Sequence, residues 1–120
     1  MTTRLFIYGT LKRGCSNHHY MAGQRFVEVA KTEPLYRLVS MGSYPGMVSS
    51  EPGRSIEGEI WDVDDACLRR LDVLEGIDEG EYTYEMVPLL PPFDGETVHG
   101  YRYLRPVEDR PDIGSVWREG

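Results

Sequence analysis

IEGEIWDVDDACLRRLDVLEG, residues 56–76, changes its hydrophobic period half-way along, and that change sets the fold class. Its first part, Ile56 to Val63, alternates apolar and polar positions approximately as a half-buried strand would. From Asp64 onward the period becomes helical. Ala66, Leu68, Leu71 and Leu74 recur on one face, Asp64 suits an N-cap, and Gly76 suits the left-handed stop after the last turn. Upstream, Arg4 to Tyr8 reads as a strand that enters a loop from Gly9 to Asn17, with Asn17 placed to cap a short helix over HHYMAG. RFVEVAKTE and LYRLVS are rich in β-branched and aromatic residues and are broken at Pro34, which predicts two strands. GSYPGMVSSEPG reads as a turn-rich loop with room for a short strand at Met47 to Ser49. Downstream, Tyr82 to Leu90 and Glu96 to Leu104 predict a hairpin joined through PPFDGE, where Asp94-Gly95 is a turn signal.

Most of these strand connections are too short for the helical crossovers of a doubly wound sheet. The expected fold is therefore an α+β domain over residues 1–120, built on a mixed sheet or small barrel. The tail, 105–120, is expected either to dock through Ile113, Val116 and Trp117 or to stay mobile.

With 120 residues, 40% hydrophobic and 11% aromatic, the chain can bury roughly two-thirds of its unfolded surface in one core. A net charge of -7 argues against a general affinity for nucleic acid or anionic membrane, because phosphate binding needs clustered Lys and Arg. No apolar run approaches the roughly 20 residues of a membrane span, and the first residues lack a signal peptide's pattern. A cytoplasmic location is expected. Cys15 and Cys67 have no metal-clip spacing and are expected to be reduced thiols, with Cys15 kept as a candidate nucleophile.

Gly9 and Gly14 in LFIYGTLKRG, residues 5–14, have the glycine separation of a nucleotide-binding P-loop. The pattern next requires Lys and then Ser or Thr, whereas Cys15 and Ser16 follow, so that reading fails. Two readings of the loop stay open. It is a nest of backbone N–H groups that suits a carboxylate, or it is a plain strand-ending turn. Lys12 and Arg13 either steer an anion or keep the loop solvated. His18, His19 and His99 have no metal-binding spacing, and no GxSxG elbow or Cys–His signature marks a covalent hydrolase.

The carboxylates Asp72, Glu75, Asp78, Glu79 and Glu81 crowd LDVLEGIDEGEYTYE, residues 71–85. Four of the five are expected to be solvated. Glu75 stands apart, at the negative end of a helix dipole, just before the stop glycine and among like charges. The dipole and those charges raise a carboxyl pKa, as would partial burial, which suits a general acid or base; the alternative is an exposed glutamate at a frayed end.

These pieces, FIYGTLKRG with Asn17-His18, YPGMV at 44–48, GEIWDVD at 58–64, LDVLEG at 71–76 and the following Tyr82, resemble the γ-glutamylcyclotransferase-like family, including its γ-glutamylamine cyclotransferase and AIG2-like branches. The resemblance implies a compact mixed β-barrel or strongly curved sheet with flanking helices. It also implies that Tyr8, Gly9, Thr10 and Leu11 grip a γ-glutamyl substrate and that Glu75 is catalytic. Tyr82 either lines the pocket or packs in the core. The implied reaction cyclises a γ-glutamyl amine or amide to 5-oxoproline and releases the amine, with no cofactor and no metal. A non-catalytic module that binds a γ-glutamyl or other small carboxylate, and a structural partner protein, are the alternatives from other classes.

Overall fold

The structure is a computed structural model that describes residues 1–119. Strand β1 (Thr2–Ile7) leads through the glycine loop to a single 3-10 turn at His18–Met21. Next come β2 (Arg25–Lys31), β3 (Tyr36–Ser40), β4 (Pro45–Ser49), β5 (Glu57–Asp64), helix α1 (Asp65–Leu74), β6 (Tyr82–Met86) and β7 (His99–Tyr103). Five strands form one mixed sheet in the order β2-β5-β1-β7-β6, and β3 with β4 forms a separate two-stranded ribbon. The β1–β7 pair is parallel and the other pairs in the sheet are antiparallel.

The change of period is where the fold turns. Asp64 accepts a hydrogen bond from the Cys67 amide at 2.7 Å and starts α1, and Gly76 ends its run in the left-handed region at φ 65°. The β5 stretch is not half-buried as its alternation suggests. Gly58, Glu59, Ile60 and Trp61 are buried in succession, because β5 lies between β1 and β2 with protein on both faces. Strand β1 feeds both faces in turn. Leu5 and Ile7 pack with Trp61, Val63 and Leu71 of α1, while Phe6 and Tyr8 pack with Leu38 and Met47 of the ribbon.

The predicted hairpin is present in the register Tyr82↔Tyr103 to Met86↔His99, with shorter strands than expected. Pro88 has no amide to donate, so the ladder gives way soon after Val87 donates to Val98 O at 2.8 Å. Asn17 does not cap a helix. Its side chain donates to Thr10 Oγ1 at 3.1 Å, and only the one 3-10 turn follows. No continuous ladder closes the sheet into a barrel among the described residues; its two edges touch through the isolated bridge Thr32–Leu89. The tail packs on this body. Ile113 donates to Leu38 O at 2.9 Å, Glu57 donates to Ser115 O at 2.7 Å, and Trp117 is buried in the ribbon-side core.

Candidate active site

The end of β1, the end of α1 and the start of β6 converge on a cavity of about 410 Å³. Tyr8, Gly9 and Thr10 form one wall, Leu74 and Glu75 another, and Glu81 and Tyr82 a third. The β3–β4 turn closes it with Ser43, Tyr44 and Pro45, and Ser16 and Asn17 complete the loop side. Five of the six residues expected at the site therefore share one cavity. Leu11 does not, since its side chain is buried in the helix-side core.

Close packing makes the first wall possible. A Cβ on Gly9 would lie 2.8 Å from Pro45 Cγ, so only glycine lets the loop pass against the β3–β4 turn. The amides of Lys12, Arg13, Cys15, Ser16 and Asn17 all donate within the protein, to Gly9 O, Glu59, Lys12 O, Glu119 and Thr10 O. The amides of Gly9, Thr10, Leu11 and Gly14 have no hydrogen-bond acceptor among the described residues, and of these four Gly9 and Thr10 line the cavity.

Glu75 caps α1, its amide donating to Leu71 O at 2.9 Å, and the turn at Gly76 then carries the chain back to Glu81. The residue keeps some surface at the cavity while its carboxyl group is desolvated. That desolvation, with repulsion from Glu81 second, pushes its pKa up to about 7. The sequence suggested a raised pKa through the helix dipole, crowding and partial burial; of these, burial is the largest cause. Asp78 and Glu79 are exposed as expected, but Glu81 lines the cavity and accepts from the Tyr44 hydroxyl at 3.3 Å, and Asp72 accepts from the Tyr101 hydroxyl at 2.8 Å.

The hydroxyls of Tyr8 and Tyr82 are engaged with backbone. Tyr8 donates to Tyr101 O at 2.8 Å and accepts from the Met47 amide at 3.1 Å, tying β1 to β7 and β4. Tyr82 donates to Pro45 O at 2.8 Å and so fixes the β3–β4 turn over the cavity. Burial pushes both phenol pKa values up, which keeps them protonated. Their rings shape the pocket and their hydroxyls hold its walls.

Lys12 and Arg13 neither face this cavity nor lie free in water. Lys12 Nζ donates to Trp117 O at 2.7 Å, and Arg13 pairs with Glu59 at 3.0 Å with its guanidinium 3.8 Å from the Phe26 ring centroid. Cys15 loses its standing as a nucleophile. Burial, with Glu119 nearby, pushes its thiol pKa up, the reverse of activation. His18 contacts Leu11 O while His19 stacks on Tyr20, so the two rings serve different neighbours. No group of three or more His, Cys, Asp or Glu suited to a metal occurs among the described residues, and none of their helices is long and apolar enough to cross a membrane.

The family described as "Gamma-glutamyl cyclotransferase, AIG2-like" matches residues 5–119. The chain belongs to that family. Two of its relatives carry names that assign γ-glutamylcyclotransferase activity provisionally. One from Vibrio cholerae is 41% identical over 73 residues, which span 61% of this chain and 62% of that protein. One from Drosophila melanogaster is 38% identical over 120 aligned positions, covering 93% of this chain and 74% of the relative. The crystal structure of an AIG2-like protein from Mus musculus superposes with a TM-score of 0.74 at 28% identity, over 99% of this chain and 90% of that one. This γ-glutamylcyclotransferase family member shares the mixed α+β fold of that neighbour, with one α-helix against an extensive sheet.

Ser16, Asn17, Ser43, Tyr44 and Glu81 also line the cavity, although no sequence pattern assigned any of them a site role. Asn17 and Tyr44 fall within pieces of the family resemblance, and Glu81 lies in the acidic run, so those three left a trace. Ser43 reaches the site only through the folding back of the ribbon, which no local pattern announces.

Proposed function

We propose that the protein cyclises a γ-glutamyl amine or amide to 5-oxoproline and releases the free amine. The supporting observation is one cavity lined both by a desolvated Glu75 with a pKa near 7 and by Gly9 and Thr10, whose amides have no hydrogen-bond acceptor among the described residues. A base with that pKa matches neutral solution, so it is half ionised when it meets a substrate α-ammonium.

In this reading the loop amides hold the substrate's α-carboxylate or the oxygen of its γ-carbonyl. Glu75 takes a proton from the α-ammonium. The freed amine attacks the γ-carbonyl carbon, a C–N bond closes the five-membered ring, and the bond from that carbon to the leaving nitrogen breaks. Glu75 returns its proton to the leaving nitrogen and then passes to it the second proton that the ring nitrogen sheds in becoming the lactam N–H, so the amine departs as an ammonium ion and no water, cofactor or metal enters the balance. Folding the substrate for attack on itself supplies the largest share, since such orientation is worth about 7–11 kcal/mol in favourable intramolecular reactions.

The test is a mass-spectrometric assay for 5-oxoproline with γ-glutamyl amines, γ-glutamyl amino acids and glutathione, run beside Glu75→Gln. Product from the wild type and a drop of about 10²–10⁴-fold in the variant is expected, the range typical of a positioned general acid or base. Normal turnover by the variant would remove Glu75 from the mechanism. Saturable binding of the same compounds without turnover would turn the reading to a γ-glutamyl-binding module.

A further inference from the structure

Two carboxylates, Glu75 and Glu81, line the active cavity, and no Lys, Arg or His side chain among the described residues lines it with them. Neither carboxylate belongs to an ion pair among those residues. Glu75 is desolvated, and its surroundings supply repulsion from Glu81 and no compensating donor. The only side-chain donor to Glu81 is neutral, the Tyr44 hydroxyl at 3.3 Å. Cations of the adjoining segments are directed elsewhere. Lys12 donates to Trp117 O, and the exposed Arg105 donates to Glu79 O. Burial and then Glu81 push the Tyr44 phenol pKa up; the exposed Arg110 offsets part of that rise but neither lines the cavity nor pairs with Glu81.

The rest of the wall is neutral. All three lining tyrosines commit their phenol protons within the protein, Tyr8 to Tyr101 O, Tyr82 to Pro45 O and Tyr44 to Glu81. A γ-glutamyl head group carries one carboxylate and one ammonium, so it enters such a cavity without changing the net charge. Whatever offsets the second carboxylate must come with the leaving amine. An ammonium on a short apolar stem meets that need, since a carboxylate suits the head and the Tyr44 ring beside it suits both the charge and the methylenes.

We infer that the amine released from this cavity is itself a cation: the substrate is the γ-glutamyl amide of an alkyl diamine, with its distal ammonium on Glu81 and its methylenes against the Tyr44 ring. The inference rests on the cyclotransferase reading and names its leaving group. Glu81 is then the residue that selects the amine, while Glu75 handles the protons of the reaction. A leaving group that bears a carboxylate, as in a γ-glutamyl amino acid, meets a like charge and is disfavoured.

The probes are three γ-glutamyl amides of matched length, those of diaminobutane, pentylamine and γ-aminobutyrate, assayed for 5-oxoproline release. They differ only in a positive, neutral or negative far end. The wild type should give kcat/KM values in that order, with the cation about tenfold above the neutral compound, the gain of one charge-assisted hydrogen bond. Glu81→Gln should bring the ratio of the diaminobutane to the pentylamine compound close to one. That ratio cancels any effect of the variant on folding or on the proton affinity of Glu75, since both substrates meet the same protein. A wild type that turns over the pentylamine or γ-aminobutyrate compound as well as the cation would overturn this inference and leave the cyclotransferase reading standing. So would a cation preference that survives Glu81→Gln. No 5-oxoproline from any of the three would overturn both.

Discussion

Glu75 is held in a state that favours chemistry over stability. Its pKa of about 7 lies above the ordinary glutamate value of 4.5, so the folded state binds that proton more tightly than the unfolded state does. The sign follows: the fold is least penalised below the unfolded pKa, loses stability as pH rises through the interval to about 7, and carries the full penalty above it. Glu75→Gln removes this ionisation, so the variant should gain roughly 1–3 kcal/mol over the wild type at pH 8 and little at pH 4. Paired thermal melts across that range check it, and a constant difference at all pH values would sink the argument. Activity should run the opposite way, with kcat/KM climbing as pH rises through about 7 because only the ionised carboxylate accepts a proton. Its place before a stop glycine singled Glu75 out in the sequence, and the structure puts it at the cavity with its carboxyl desolvated. That Glu81 would share its cavity was not legible, since six acidic residues in fifteen look alike until the turn at Gly76 folds one back.

The elements that carry these side chains are set by a few backbone contacts, and two substitutions separate scaffold from chemistry. Tyr82→Phe keeps the ring at the cavity and removes only the bond from its hydroxyl to Pro45 O. A buried carbonyl then loses its donor, which should cost about 1–3 kcal/mol in a denaturant titration while kcat stays within a few-fold. A collapse of kcat with unchanged stability would instead make the phenol a reacting group. Gly76→Ala puts a side chain at φ 65° with its Cβ 3.3 Å from Glu81 Cβ, so it should destabilise by roughly 1 kcal/mol or more and lower activity by moving both carboxylates. Retained stability and activity in that variant would show that the helix stop does not place the site. Local pattern was a good guide where the signal was local, as in Asp64, Gly76 and the β6–β7 hairpin. It misled where tertiary neighbours decide: β5 alternates in sequence yet is buried on both faces, and Asn17 turned its amide to Thr10 in place of a helix end.

At the scale of the molecule, the tail is a strap across the loop side of the fold. Trp117 is buried in the ribbon-side core, its carbonyl receives Lys12, and its indole N–H donates to Glu119, which in turn accepts from Ser16 at the edge of the active cavity. Just before it, Ser115 O receives the Glu57 amide and Ile113 donates to Leu38 O, so one segment joins β5, the ribbon and the glycine loop. The sequence left docking through Ile113, Val116 and Trp117 as one of two alternatives and could not name the partners, because the tail's few apolar residues have no period and their partners lie far upstream. Removing the anchor should therefore be felt at a distance. Trp117→Ala is expected to cost about 3 kcal/mol from lost burial. It should also speed hydrogen exchange at the Ser16 and Glu57 amides far more than at Cys67, whose amide is bonded to Asp64 at the other end of β5. If exchange rose equally at all three sites, the strap would be only a contributor to global stability; a rise confined to the first two would make it the element that keeps the loop in its working shape.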